Sequence, residues 1–358
     1  MVKKKWLAIV IGFIFIIVGI VLINKKENKA TNLEKTSGIT VVPTMNDKIT
    51  ADSSWCGTFQ LVWNDMKNEL VKKDIVFNPQ LEMVKNLNKG DFNETMLSED
   101  YYFKIYGLKN LKMKEQIENG IKEKFDQTSD IIKNINWSGE DESYFFYTML
   151  YRNFEFLKEF DKLNNGKFGN KYENVEYFGI NKNTKEEVGE QITVLYYNSK
   201  DDFAVLINTK TNDEVIFCKN PNGSNFNEIY ENMENESNKY TGSKSFNKID
   251  EFKAPKLQFD EKRTYNELSG KEFETANHDI AKIQEAIQTI QFSLDEKGGK
   301  IKSEAAISVG VTSVEEKEKE DKPRYFYIDD TFAIFLREKG KEMPYFAGRI
   351  ENITKFQK

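Results

Sequence analysis

The sequence predicts an α+β domain in which a helical first third precedes mixed β-sheets. Apolar residues recur with helical spacing between positions 58 and 134, and from Tyr144 onward they follow the two-residue period of strands. Because helices come first and strands follow, without regular βαβ alternation, the pattern is typical of an α+β domain. The 27 Phe and 16 Tyr among 358 residues supply enough bulk for a large core.

The N-terminus predicts one transmembrane helix before this domain. Residues 6–23 form an uncharged apolar run of 18 residues with lysines on both sides, and a helix of that length just spans a bilayer. A cleaved signal peptide is the alternative, but its apolar region is shorter and a small-residue cleavage motif should follow. We therefore expect an uncleaved signal anchor within residues 1–29, a single pass through the cell membrane, and an extracytoplasmic domain.

Composition divides the rest of the chain into two parts. Residues 30–52 are polar and contain Pro43, so they are predicted to be a linker, and residues 53–358 are predicted to be the domain. The whole chain has a net charge of −6, and residues 1–29 contribute +5 to it. The remaining residues therefore carry a net charge of −11. An acidic ectodomain lacks the basic surface of a nucleic-acid-binding protein, and no nucleic acid is expected as a partner.

Helical stripes of apolar residues mark the first third of the domain. The clearest stripe begins at Thr58, a predicted N-cap, and includes Trp63 and Leu70. The pattern predicts helices over residues 58–73, 79–88, 98–106 and 110–134, a short helix over 226–233, and a helical stretch near 276–286.

Alternation of apolar residues predicts the strands. From Tyr144 both alternating sets are mostly apolar, so a long strand buried on both faces is expected there. Further strands are predicted over residues 173–180, 191–198, 202–208, 214–218, 249–259, 287–294, 325–337 and 345–350, with a turn at 295–299.

Residues 303–323 (SEAAISVGVTSVEEKEKEDKP) differ from the segments around them. Their first half is small and tolerates strand geometry, and their second half is a charge run. One interpretation is a long surface loop, which in compact domains is usually functional or disordered. The other is a segment that can enter a sheet between existing strands, because small side chains avoid overpacking the core beneath.

The C-terminal third resembles the serpin family in the order and spacing of its motifs. The matching segments, with the serpin pattern in parentheses, are APKL at 254–257 (LPKF), QTIQFSLDEKG at 288–298 (HKAFIEVNEEG), SEAA at 303–306 (TEAA), DDTFAIFLRE at 329–338 (DRPFLFFIRD) and YFAGRI at 345–350 (LFMGRV). The resemblance extends over residues 110–350 and is clearest over 254–350.

This resemblance implies a serpin-like fold and a protease inhibitor. Residues 303–323 would be the reactive-centre loop, which an extracellular protease cleaves before it is trapped as the loop inserts into a sheet. The scissile bond is expected near Glu316 and Lys317. The hinge of the loop is expected at Ser303, Glu304, Ala305, Ala306, Ile307 and Ser308.

Several departures from the serpin pattern favour a second interpretation. Residues 299–302 (GKIK) are extra relative to the usual hinge, and Ile307 is bulky where inhibitory serpins have small residues. Thr331 replaces a proline, and Leu157 replaces a tryptophan. The alternative function is therefore a non-inhibitory binding or structural module at the cell surface.

The hinge has the alternation that an inserted strand needs. In a strand over residues 303–311, one face would carry Ser303, Ala305, Ile307, Val309 and Val311. That face is mostly apolar and suits the core. The other face, which includes Ala306 and Ser308, is expected to suit solvent.

The sequence does not favour an enzyme, a cofactor or a metal site. His278 is the single histidine, which excludes a multi-histidine metal site, and no phosphate-binding glycine motif is present. The acidic residues within 315–321 lack the spacing of a calcium loop. A paired-carboxylate glycosidase remains the enzyme alternative, because Asp and Glu are plentiful.

The two cysteines leave two interpretations open. Cys56 and Cys218 could form a disulfide, which an extracytoplasmic location permits, or remain two buried free thiols. A catalytic role for Cys56 is disfavoured, because no papain-like sequence surrounds it and His278 is far away along the chain.

Overall fold

The computed structural model describes residues 38–137, 143–184, 186–302 and 322–357. No helix within these ranges is long and apolar enough to span a membrane. The predicted anchor at residues 6–23 lies outside them.

Within the described ranges, four α-helices form where the sequence has helical apolar stripes. They are α1 (Thr58–Asp65), α2 (Glu82–Lys89), α3 (Leu111–Phe125) and α4 (Phe226–Lys239). Helix α1 continues as a π-helical turn over Met66–Val71. The residue that precedes α1 in the N-cap position is Gly57 rather than the expected Thr58. At α3 the side chain of Asn110 accepts a hydrogen bond from the Met113 amide at 2.9 Å and caps the helix.

The strands outnumber the helices. They are β1 (Thr40–Val41), β2 (Ser53–Cys56), β3 (Tyr102–Leu108), β4 (Tyr144–Leu150), β5 (Arg152–Glu155), β6 (Asp161–Lys162), β7 (Gly166–Phe168), β8 (Tyr172–Val175), β9 (Tyr177–Ile180), β10 (Ile192–Ser199), β11 (Asp202–Asn208), β12 (Asp213–Lys219), β13 (Glu251–Pro255), β14 (Leu257–Thr264), β15 (Glu272–Glu274), β16 (Ile280–Lys282), β17 (Ile287–Asp295), β18 (Gly298–Ile301), β19 (Tyr325–Tyr327), β20 (Phe332–Glu338) and β21 (Phe346–Ile350).

Three larger sheets and three two-stranded pairs organise these strands. The sheets have the orders β1-β2-β21-β20-β12-β11-β10, β19-β13-β9-β6 and β14-β17-β18-β5. The pairs are β3-β4, β7-β8 and β15-β16. Two pairings, β1 with β2 and β13 with β19, are parallel, and the other pairings are antiparallel. The expected α+β class with mixed sheets is confirmed.

Two predicted helices are wrong. Within residues 98–106 the structure has a 3₁₀ turn, Glu99–Tyr101, followed by β3. Pairing of β3 with β4 and burial under α3 outweigh the local helical pattern there. Residues 276–286 contribute β16 instead of a helix, and β15 pairs with it across a turn in which His278 has a φ of +68°.

The predicted linker is also revised. Residues 38–52 belong to the domain: β1 pairs with β2, and the side chains of Val41, Val42 and Met45 are each no more than 3% exposed. The apolar residues among polar neighbours are too few to form a recognisable period. Their burial against the main core makes them part of the fold.

Candidate functional site: a cleft between two strands

A fork in the sheets defines the most prominent site of the domain. Strands β4 and β5 are consecutive and are separated only by Tyr151. Strand β4 pairs with β3, whereas β5 pairs with β18, which in turn pairs with β17. Strand β18 therefore lies between β5 and β17 at the upper end of the fork.

The first residue of β18 must be a glycine. Gly298 has a φ of +150°, and a Cβ atom at this position would lie 2.1 Å from the carbonyl oxygen of Phe154 on β5. No side chain fits in that space, so glycine allows β18 to approach β5 closely enough to pair. The residues 299–302 that looked like an insertion thus build the strand at the apex of the fork.

Below Ile301 the fork opens into a cleft. Strand β18 ends there, but β17 and β4 continue on either side, and no strand among the described residues pairs with the edges that face each other. A cavity of about 730 Å³ includes this gap and extends to α1 and to the segment that contains β15 and β16. Strand β18 fills the upper end of the same gap. At that end the gap is therefore one strand wide.

A network of buried polar groups closes the floor of the cleft. The side-chain amide of Gln288 on β17 donates to the carbonyl oxygen of Cys56 at 3.0 Å and lies 3.0 Å from Thr58 Oγ1. The hydroxyl of Tyr265 donates to Gln288 Oε1 at 2.7 Å. These contacts join β17 to the start of α1 and satisfy a glutamine that is 3% exposed.

The opposite side of the cleft is covered by α3 and the segment that follows it. Tyr147 and Met149 on β4 pack in one cluster with the buried face of α3, and Ser129 and Ile135 line the cavity. Burial raises the pKa of the Tyr147 hydroxyl. This side of the sheet is therefore not open to solvent.

An ion pair fastens this cover to the end of β18. Lys302 Nζ lies 2.8 Å from Asp130 Oδ2, and the side-chain amide of Gln291 on β17 donates to the same oxygen at 3.3 Å. The carboxylate of Asp130 thus contacts both the chain that leaves β18 and the strand beside it.

The cleft also contains a polar atom without a partner. The hydroxyl of Thr148 on β4 lines the cavity, is inaccessible to solvent, and has no hydrogen-bond partner among the described residues. Buried hydroxyls are almost always paired, so an unpaired one at a strand edge is consistent with a group that enters the cleft.

The predicted reactive segment itself lies outside the described residues. This applies to the hinge at Ser303, Glu304, Ala305, Ala306, Ile307 and Ser308 and to the expected scissile bond at Glu316 and Lys317. The described chain stops at Lys302 at the mouth of the cleft and resumes at residue 322.

Arg324 fixes the chain where it resumes. Its guanidinium contacts both carboxylate oxygens of Asp250, with Nη2 2.7 Å from Oδ2, and donates to the carbonyl oxygens of Ser243 and Ser245 at 2.8 and 2.6 Å. The guanidinium also lies 5.2 Å from the ring of Phe326. Both ends of the segment 303–321 are thus held by defined contacts.

The two cysteines are free and buried, so the disulfide interpretation is not supported. Cys56 on β2 and Cys218 on β12 are three strand spacings apart in one sheet, which is roughly 14 Å. A disulfide requires Cα atoms about 4.4–6.8 Å apart. Burial raises the pKa of each thiol to about 11, which also opposes a nucleophilic role for Cys56.

We expect both thiols to be unreactive in the folded protein. A colourless disulfide reagent that releases a coloured thiolate should detect no thiols at neutral pH, because neither sulfur is accessible or ionised. In denaturant without a reductant it should detect two per chain. Finding none after denaturation would establish the disulfide instead.

A buried ion cluster beside the fork was not predicted from the sequence. Arg152, the first residue of β5, extends to the seven-stranded sheet, where its Nε lies 2.5 Å from Asp213 Oδ1 and its Nη1 lies 3.5 Å from Glu338 Oε2. All three side chains are at most 3% exposed. One signal in the sequence could have indicated this cluster. Arg152 is a charged residue at the end of an alternating segment in which both faces are mostly apolar.

Two tyrosine rings enclose the guanidinium. The Cζ atom of Arg152 lies 3.6 Å from the ring centre of Tyr101 and 5.0 Å from that of Tyr345. The Tyr345 hydroxyl donates to Asp213 Oδ1 at 2.8 Å, and burial raises the pKa of this hydroxyl well above its ordinary value. The cluster joins β5, next to the cleft, to β12 and β20.

One pair of carboxylates beside the cleft, Asp130 and Asp260, is separated by a side-chain amide and does not have the geometry of a glycosidase site. Asp130 and Asp260 both contact the side-chain amide of Gln291, at 3.3 and 3.1 Å, so their carboxylates are close together. The amide lies between them, where a glycosidase needs room for substrate or water. Among the described residues, no group of His, Cys, Asp and Glu is arranged to hold a metal ion.

The architecture places the chain among proteins with a serpin-like fold. No protein-family model matches the sequence, and no curated protein matches it. The structure of thyroxine-binding globulin in complex with thyroxine matches with a TM-score of 0.50 at 11% identity, over 85% of this chain and 93% of that one.

Two further solved structures match over similar lengths. Human thyroxine-binding globulin has a TM-score of 0.45 at 12% identity, over 82% of this chain and 89% of its own. Serpin48, described as a highly specific serpin of the insect Tenebrio molitor, has a TM-score of 0.46 at 12% identity, over 84% and 92%. The chain has a divergent serpin-like fold, and the serpin resemblance of its sequence is confirmed at the level of the fold.

Proposed function

We propose that the protein is a membrane-anchored, extracytoplasmic inhibitor of a protease, with residues 303–323 as the bait. Cleavage near Glu316 and Lys317 would release the segment, which would then enter the cleft as a new strand. The anchor is proposed on the apolar run at residues 6–23. The cleft that continues directly from β18 is the observation that supports the mechanism.

The register of β18 gives the geometry of the proposed insertion. Ile301 is opposite Phe292 on β17 and Arg152 on β5. Continuing the same register through β4 would place position 305 opposite Gln288 and Thr148, and position 309 opposite Tyr144. Strand β4 has seven residues, so the cleft would accommodate a strand segment of roughly 24 Å.

The same register assigns the two faces of the inserted strand. Ile301 is buried, so positions 303, 305 and 307 would share its core-facing side. Positions 304, 306 and 308 would lie under α3 and the segment after it, because Tyr147 and Met149 on that side of β4 are buried there. In this register we therefore propose that the second face is covered and does not face solvent.

Cleavage of the segment should stabilise the protein. Pairing about seven new residues on both sides would add about 14 hydrogen bonds. At a net ~1 kcal/mol per hydrogen bond and about 2 °C per kcal/mol, the expected rise in Tm is on the order of 20–30 °C. Limited proteolysis between residues 303 and 321, with mass spectrometry to locate the cut, prepares the sample for calorimetry. An unchanged Tm after a confirmed cut would argue against insertion.

A non-inhibitory binding module is the second candidate. Ile307 would need space between the strands, and the solved structure with the highest TM-score given above is a thyroxine-binding globulin complex. The two candidates predict different outcomes when the protein is mixed with a protease that cleaves the segment. An inhibitor traps the protease after cleavage and the protease loses its activity, whereas a binding module is cleaved as an ordinary substrate and the protease stays active.

A further inference from the structure

The ion cluster at the fork has an excess of negative charge. Asp213 and Glu338 are directly opposite each other in the pairing of β12 with β20, and like charges at such positions repel. Arg152 forms ion pairs with both, and no other basic residue in the described part of the chain pairs with either. One buried cation thus faces two buried carboxylates.

The two carboxylates of the cluster accept hydrogen bonds from different kinds of donor. Glu338 accepts the backbone amide of Ser98 at 2.9 Å and also its hydroxyl. These donors stabilise an ionised carboxylate. Besides its ion pair with Arg152, Asp213 accepts hydroxyl groups, from Tyr345 at 2.8 Å and from Thr211 at 2.8 Å, and a hydroxyl can rotate to accept a proton in return.

No second positive charge pairs with the two carboxylates in the part of the chain that the structure describes. The other titratable groups at the cluster are Tyr101 and Tyr345, which interact in turn with Asp100 and Cys56. All of these are neutral or negative in their ordinary range. A proton is therefore the simplest way to balance the cluster, and Asp213 is the carboxylate best arranged to take it. Burial raises the pKa of Asp213 despite the neighbouring Arg152.

We propose that Arg152, Asp213 and Glu338 form a buried proton-binding site that strengthens the junction between β5 and the seven-stranded sheet in acidic surroundings. Proton uptake by Asp213 leaves one carboxylate with one guanidinium. The junction lies at the apex of the cleft, since Arg152 is opposite Ile301. Acidity then makes the fork more rigid. This inference holds whether or not the protein inhibits a protease.

The sign of the pH dependence follows from the direction of the shift. The carboxyl of Asp213 binds a proton more tightly in the folded protein than in the unfolded chain, where its ordinary pKa is 3.8. The site therefore contributes most to stability below that value, and the contribution is lost as pH rises to the folded-state pKa.

The test compares the wild type with Asp213→Asn in denaturant titrations from pH 4.5 to 7.5. Asparagine keeps the shape and can accept the Tyr345 hydroxyl, but it cannot titrate. We expect the unfolding constant of the wild type to increase with pH relative to the variant, with a limiting slope of about tenfold per pH unit for one proton. Parallel profiles, or a ratio that decreases with pH, would overturn the proposal.

Two further variants and one exchange measurement complete the test, in case Asp213→Asn fails to fold and to exclude a general effect of acid. Glu338→Gln also leaves one carboxylate with Arg152, so its pH profile should lose the same slope. Asp250→Asn, which removes a buried carboxylate paired with Arg324 elsewhere, should keep the slope of the wild type. In the wild type, amide exchange in β5 and β18, corrected for intrinsic rates, should slow as pH falls. Exchange that is independent of pH would contradict a more rigid fork.

Discussion

Arg152→Ala is expected to lower the free energy of unfolding by about 3–5 kcal/mol. The substitution leaves Asp213 and Glu338 buried and opposite each other without a cation. It also removes the group between the rings of Tyr101 and Tyr345 and leaves a cavity there. Urea denaturation followed by tryptophan fluorescence measures the loss directly.

Glu155→Ala is the matched control on the same strand. Glu155 forms an exposed ion pair with Lys210, with the two side chains 68% and 56% exposed. Surface pairs of this kind contribute little, so the change should stay within about 0.5 kcal/mol. Equal effects of Arg152→Ala and Glu155→Ala would show that the buried cluster has no special role.

Ala305→Arg is expected to abolish the stabilisation that follows cleavage of the segment. In the proposed register, position 305 faces the core between Gln288 and Thr148. An arginine there would bury an unpaired charge, which costs several kcal/mol. The uncleaved protein should fold normally, because the substitution would act only on the inserted strand. Calorimetry of cut and uncut samples provides the measurement.

Glu318→Arg is the control for this prediction. In the proposed register, β4 ends opposite position 309, so position 318 would lie beyond the flanking strands. The variant should keep the full rise in Tm after cleavage. If Ala305→Arg and Glu318→Arg both keep it, the segment is a surface loop and does not enter the cleft.

The strands were predictable because alternation of apolar residues records which side chains face the core. From Tyr144 onward this signal placed the long strands, since a one-residue shift would move the whole apolar set to the wrong face. It missed the short strands β6, β7, β15, β16 and β18, which have too few residues to show a period. Helical stripes likewise located α1 and α3. The helix predicted over residues 98–106 was wrong because the local pattern does not determine the conformation there. Pairing with β4 determines it, and β4 lies in a separate part of the chain.

The geometry of the site depends on contacts that no local pattern records. The hinge at residues 303–308 stays a prediction, which rests on small side chains and on the resemblance to serpins. The position of β18 between β5 and β17 could not be predicted, because three separate segments meet there. The carboxylates that pair with Arg152 come from two distant strands. Local alternation shows only that Arg152 is on a buried face.

Strand β18 also affects the rate at which a strand can grow in the cleft. Its hairpin with β17 is closed by residues 296–297, so the entropic cost of bringing the two segments together is already met. A chain that continues from Lys302 would add neighbouring residues one at a time, and hairpins close within about 1–10 μs. A free peptide of the same sequence must first lose its translational freedom. If residues 303–323 insert as proposed, the tethered segment would therefore enter the cleft ahead of competitors from solution.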